Sequence, residues 1–124
     1  AMPAAIFTDP EVATVGLSEA EAKARGVEVK LGKFPFAASG RAMAISETRG
    51  FVKTIVDAKS DQVLGVGIVG PEASEMIAEA TLAIEMCAHV DDIALTVHTH
   101  PTLSEAMNES FRHALKEAIH ILNK

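Results

Sequence analysis

Two β-branched runs, GFVKTIVD (50–57) and QVLGVGIVG (62–70), are separated only by the turn-forming residues AKSD, and this pair constrains the chain more than any other feature. Runs this close, rich in Val and Ile and divided by turn chemistry, read as an antiparallel hairpin. At Pro71, a residue suited to a first helical position, the period changes. Ala73, Met76, Ile77, Ala80, Ala83, Ile84 and Cys87 then share one helical face, with Glu72, Glu75 and Glu79 mostly off it.

The flanks supply the rest. Ala4–Phe7 is a strand candidate. Ser18 with Glu21 forms a capping box, and Gly26 suits the residue after the helix end. VEVKL (27–31) alternates Val27, Val29 and Leu31 against Glu28 and Lys30, as a half-buried strand does. Gly32 breaks that phase before Phe34 and Phe36, which predicts a bulge. Residues 37–50 read as a small-residue connection with one helical turn. A short turn at 91–95 precedes a last helix, which starts near Thr102 and runs, with a break, toward Ile121. Central strands with helices at the ends predict an α+β fold, an antiparallel sheet sandwiched by helices, not alternating βαβ units.

Composition narrows function by exclusion. A chain of 124 residues is the size of one domain. Its net charge of −6 argues against nucleic acid, whose phosphates select clustered Lys and Arg. No apolar run approaches the ~18 residues a membrane span needs, and no signal peptide is evident. The single Cys87 excludes an internal disulfide and fits a reducing, cytoplasmic compartment. Its place in an apolar helical pattern predicts a buried, inert thiol. Ala1-Met2 reads as a cloning scar, leaving residues 3–124 as one domain excised from a larger protein.

GVGIVG (65–70) matches a dinucleotide-binding fingerprint by letter. That chemistry needs a strand ending before the first glycine and a helix opening inside the motif. Here the strand runs through it, with Leu64, Val66 and Ile68 on one face and Gly65 and Gly67 on the other. Glu85, near the expected ribose-binding acid, lies in the helical stretch. Glycines that let a helix pack closely are the better reading, so no cofactor-binding residue is assigned.

HTHPTLSEA (98–106) is the chemical centre of the chain. Thr102 and Glu105 have capping-box spacing, which alone explains the glutamate. If residues 97–100 are extended, His98 and His100 share a side and, with Glu105 or His89, make a weak zinc motif. The simpler alternative needs one histidine and one carboxylate. Pro101 bends the chain, Glu105 returns over the first turn, and its carboxylate fixes one nitrogen of His100 while the other takes a proton. Nothing else in the chain reads as a nucleophile or substrate pocket, so the groups His100 would act on belong elsewhere.

In combination, IFTDPEVATVGLSEAEAKARG, FPFAASGRAMA, GFVKTIVD, VLGVGIVGPEASEMI and HTHPTLSEA resemble the C-terminal interface domain of the flavin-dependent pyridine-nucleotide disulfide oxidoreductases. The likeness covers nearly the whole chain, from about Ala5 to the helix after Glu105. Ala106 after the glutamate points to the dihydrolipoyl dehydrogenase branch, since glutathione reductase-like members carry a second acid there. The alternatives are a glutathione or mercuric reductase-like relative and the small metal-binding domain.

The resemblance implies a parent enzyme with FAD and NAD domains outside this chain. It also implies a homodimer built through this domain, and lipoyl domains of 2-oxoacid dehydrogenase complexes as partners. By the same likeness His100 is the general base, reaching the partner subunit's disulfide and flavin to take a proton from dihydrolipoamide. Glu105 orients it and His98 supports it. The His100–Pro101 bond is cis in some relatives. The helix 72–88, with Met107 and Phe111, is the candidate two-fold interface. His113 and His120 receive no role, and the isolated stretch is expected to be inactive.

Overall fold

In the computed structural model, which describes residues 1–124, the central hairpin is β4 (Phe51–Asp57) and β5 (Val63–Gly70). It sits inside a five-stranded antiparallel sheet with the order β1-β2-β5-β4-β3. The edges are β1 (Ala4–Ile6) and β3 (Val29–Pro35). The strand between β1 and β5, β2 (Glu11–Gly16), falls between the expected Ala4–Phe7 strand and the Ser18 cap, where the sequence reading placed no strand. Its β-branched Val12, Thr14 and Val15, bounded by Pro10 and Gly16, are the signal that marks it.

One sheet face carries the core. Paired rows set Ala13 opposite Ile68, Val15 opposite Val66, Ile68 opposite Val52 and Val52 opposite Phe34, all buried. Over this face lie α3 (Ala73–Glu85) and α5 (Glu105–Ala114), with α4 (Val90–Ala94) against α5. The buried α3 residues Ala73, Ile77, Ala80 and Ala83 belong to the face expected from the sequence. On the other sheet face α1 (Glu19–Ala24) covers one end, leaving a groove of about 630 Å³ lined by Thr14, Phe51, Lys53, Ile55 and Val69. The sheet is therefore sandwiched unequally. The short α2 (Gly40–Ala44) closes the connection to β4.

Close backbone approach decides three details. No bulge occurs at Gly32: β3 pairs with β4 without interruption. A Cβ at Gly32 would instead meet the Ser110 carbonyl oxygen at 1.8 Å and Thr54 Oγ1 at 2.6 Å, so glycine there admits the α5 backbone. The inward residues of β3 are thus Gly32 and Phe34, while Leu31 is exposed. The irregularity falls on β5, where Ile55 pairs with Gly65 and Val56 with Val63, leaving Leu64 as the extra residue. Gly65 admits the Leu17 backbone rather than a helix side chain, whereas a Cβ at Gly67 would meet only Thr14 Cγ2, at 4.0 Å.

The helix ends follow one pattern. Ser18 and Glu21 form the expected capping box, and α1 ends with Gly26 left-handed. Ser46, Cys87 and Lys116 occupy the same left-handed position after α2, α3 and α5. Each time the next N–H reaches back to a carbonyl in the last turn, as Glu117 does to Arg112 at 2.8 Å. This turn stops α5 at Ala114, so the expected continuation toward Ile121 is absent. It also places Cys87 beyond the helix and exposed, not buried. Met107 and Phe111 are fully buried core residues and offer no surface to a partner.

Two substitutions separate these roles. Gly65→Ala lowers stability by about 1–3 kcal/mol through overpacking against Leu17, whereas Gly67→Ala leaves it unchanged or raises it by about 0.5 kcal/mol; thermal melts of both check this. Ser110 Oγ is buried without a partner, so Ser110→Ala raises stability, by about 1 kcal/mol, in a denaturant titration.

Candidate functional site

His100 stands on the segment between α4 and α5, which belongs to no helix or strand from 97 to 100. Side chains tie the segment down. Asn108 Nδ2 donates to the carbonyls of Ile93, Ala94 and Thr96 at 2.9, 3.1 and 3.2 Å. The Arg112 guanidinium donates to Asn108 Oδ1 at 2.9 Å and orients that amide. Thr102 Oγ1 donates to the Thr99 carbonyl at 2.6 Å. The His100–Pro101 peptide is cis.

Glu105 opens α5. It makes only half of the expected capping box: Oε1 accepts the Thr102 N–H at 2.9 Å, while the Thr102 hydroxyl turns away and the helix begins at Glu105. Both carboxylate oxygens lie 3.0 Å from His100 Nδ1. Burial alone would raise the Glu105 carboxyl. The Thr102 N–H, the His100 hydrogen bond and the nearby histidine charges outweigh it and hold the group below its ordinary value. The His100 side chain is 73% exposed and its Nε2 has no partner. Glu105 therefore serves the helix start and the histidine together.

His98 faces elsewhere. Its Nε2 lies 2.7 Å from Glu79 Oε1 on α3 and its Nδ1 3.0 Å from the Thr96 carbonyl. The hydrogen bond to Glu79 is the main reason its pKa is raised above the ordinary imidazole value, against the opposing effect of burial. The extended segment that would aim His98 and His100 at one point does not form. His89 starts α4 beside Asp92, and no three His, Cys, Asp or Glu side chains converge as metal ligands.

Besides the pairing of His98 with Glu79, sequence reasoning missed a further histidine–carboxylate pair. Glu109, buried one turn along α5, accepts the N–H groups of Ile119 and His120 at 3.0 and 3.2 Å, and its Oε1 lies 3.2 Å from His120 Nδ1. His100, Glu105, Glu109 and His120 line one cleft of about 130 Å³ with Phe34 and Met43. A glutamate inside a helix carries no local mark of burial, so no sequence signal pointed to it. His113 accepts the Lys33 N–H of edge strand β3 at 3.0 Å through Nδ1. The GVGIVG backbone is engaged by β2 on one side and β4 on the other, which leaves no cradle for a phosphate.

Comparison with known proteins gives this geometry a family. Residues 2–111 match the pyridine nucleotide-disulphide oxidoreductase dimerisation domain. The chain belongs to that family. It is 56% identical over its full length to a dihydrolipoyl dehydrogenase of Halobacterium salinarum, covering 26% of that protein. It is 54% identical over 99% of its length to one from Thermus scotoductus, covering 27%. The chain thus spans about a quarter of these relatives. Among solved structures, LpdA from Mycobacterium tuberculosis superposes with a TM-score of 0.84 at 31% identity, over 90% of this chain and 24% of that one. The HOCl-induced flavoprotein disulfide reductase RclA from Escherichia coli gives 0.85 at 30% identity, over 89% and 25%.

The His98 ion pair has a defined pH signature. A raised folded-state pKa gives stability that is fully present below the ordinary value of 6.5 and lost as pH rises through the folded value. Glu79→Gln should therefore cost most stability in mild acid, with the gap to the parent closing as pH climbs. Thermal melts from about pH 5 to about pH 9 read this difference.

Proposed function

We propose that this chain is the dimerisation domain, residues 3–124, of a cytoplasmic dihydrolipoyl dehydrogenase, which oxidises dihydrolipoamide with FAD and NAD, and that His100 with Glu105 is its general base, acting on the partner subunit. The observation that carries the reading is the contact of both Glu105 carboxylate oxygens with His100 Nδ1, with Nε2 unpartnered on a largely exposed ring. The family match and the 54–56% identity to dihydrolipoyl dehydrogenases support it. The lower likeness to RclA leaves a related disulfide reductase as the second reading.

Glu105 accepts a hydrogen bond from Nδ1–H, which fixes the tautomer whose Nε2 is basic and stabilises the imidazolium once formed. Nε2 takes the proton from one thiol of dihydrolipoamide. The thiolate attacks a sulfur of the partner subunit's disulfide; a mixed disulfide forms as the S–S bond breaks and the other cysteine leaves as thiolate. FAD and NAD are assigned to the other domains of the parent enzyme, since the GVGIVG backbone is taken up by strand pairing.

Dimerisation is supported by surface chemistry. Leu82 and Met86 lie on the α3 stripe that carries Glu79 and are 63% and 71% exposed. His98 ties the segment bearing Leu95 and Val97, 75% and 95% exposed, to the same helix. A self-complementary two-fold contact covers apolar surface of this kind. Lipoyl domains of 2-oxoacid dehydrogenase complexes are the proposed substrate carriers.

In the full-length enzyme, His100→Ala should slow dihydrolipoamide oxidation by about 10²- to 10⁴-fold, and Glu105→Gln by less. Turnover near that of the parent in His100→Ala would end the assignment.

A further inference from the structure

Residues 97–100 have no helical or strand scaffold, so the direction of His100 depends on what grips its neighbours. Most of these grips are local: Asn108 and Thr102 hold carbonyls from within the segment or the helix that follows it. His98 alone reaches across to α3. Its side chain is 9% exposed, against 73% for His100 two residues away. Both of its ring nitrogens face oxygens that only accept, the Thr96 carbonyl at 3.0 Å and the Glu79 carboxylate at 2.7 Å. A ring that donates from both nitrogens is an imidazolium, and with both protons engaged it is no base. The charged groups around it are Glu79 from α3 and Glu105 from α5. One residue separates it from His100, so a backbone shift that carries His98 off α3 also moves the backbone that bears His100.

We propose that His98 is a positioning residue for His100, with Glu79 as its anchor on α3. The assignment deepens the reading of His100 as general base and rests on it. The His98–Glu79 pair transfers the rigidity of a helix packed on the sheet to an otherwise irregular segment, and it acts through geometry rather than by touching substrate.

Steady-state kinetics of the full-length enzyme test it. In Glu79→Ala, kcat for dihydrolipoamide oxidation should fall about 10- to 100-fold, the scale of a reacting group displaced by about 1 Å, while KM for the dithiol changes little. Glu79→Gln keeps an acceptor for Nε2 and should recover most of the loss. Glu79→Ala added to His100→Ala should cost nothing further, because both act on one group. NADH-driven reduction of a quinone presents no thiol proton for a base to remove and serves as the control reaction. A parallel fall in that reaction, or a loss confined to thermal stability with kcat intact, overturns the proposal. If Glu79→Ala does not fold, His98→Asn is read in its place, and full kcat there overturns it equally. Normal kcat in His100→Ala removes the general-base reading itself; normal kcat in Glu79→Ala beside a crippled His100→Ala removes only the positioning role.

Discussion

The contact between Gly32 and the Ser110 carbonyl fixes the rest of the molecule. A helix normally rides on a sheet at a distance set by side chains on both sides. Here α5 descends until its backbone touches β3, because position 32 has no Cβ and Thr54 supplies a hydroxyl to the same carbonyl at 3.3 Å. That depth buries Met107 and Phe111 in the same core as Phe34 and Val52, and it sets the height and rotation at which α5 begins. Glu105 is the first residue of that helix. The position of the carboxylate that meets His100 is therefore inherited from a glycine on an edge strand.

The two histidines of HTH show how chemistry follows from partners rather than residue type. His98 is enclosed and bonded at both nitrogens; His100 is exposed and bonded at one. The first arrangement favours the charged ring and holds a segment in place. The second leaves a lone pair facing outward beside a carboxylate able to stabilise the cation. Asn108, three residues after Glu105, gathers two carbonyls from the end of α4 and one from the segment that follows, so α5 supplies both the acid and much of the frame around its histidine.

Periodicity and turn chemistry made most of the architecture legible. The hairpin, the buried stripe of α3, the Ser18–Glu21 box and the Gly26 stop each rest on short-range rules, and each is present. The misreadings have two causes, distance along the chain and helix stops that leave no mark in it. Gly32 looked like a break in alternation because its partner, Ser110, is 78 positions away. Cys87 looked buried because left-handed stops without glycine leave no mark in the pattern. The pairing of His100 with Glu105 was legible because five residues separate them. Glu79 with His98, and Glu109 with the tail, depend on how α3 and α5 fall against other segments, and single-sequence spacing does not encode that.

The tail after α5 has a standing larger than its irregular shape implies. Glu109 is an almost wholly buried anion whose donors all come from residues 119 and 120, and Asn123 stitches the same stretch by two hydrogen bonds to Ala118. Stripped of those donors, the carboxylate would keep the cost of its desolvation and lose the compensation. Trimming the last half-dozen residues is thus not the removal of a loose end. It would leave a buried carboxylate without its donors one helical turn from Glu105, so residues 119 and 120 help set the electrostatic surroundings of the His100–Glu105 pair.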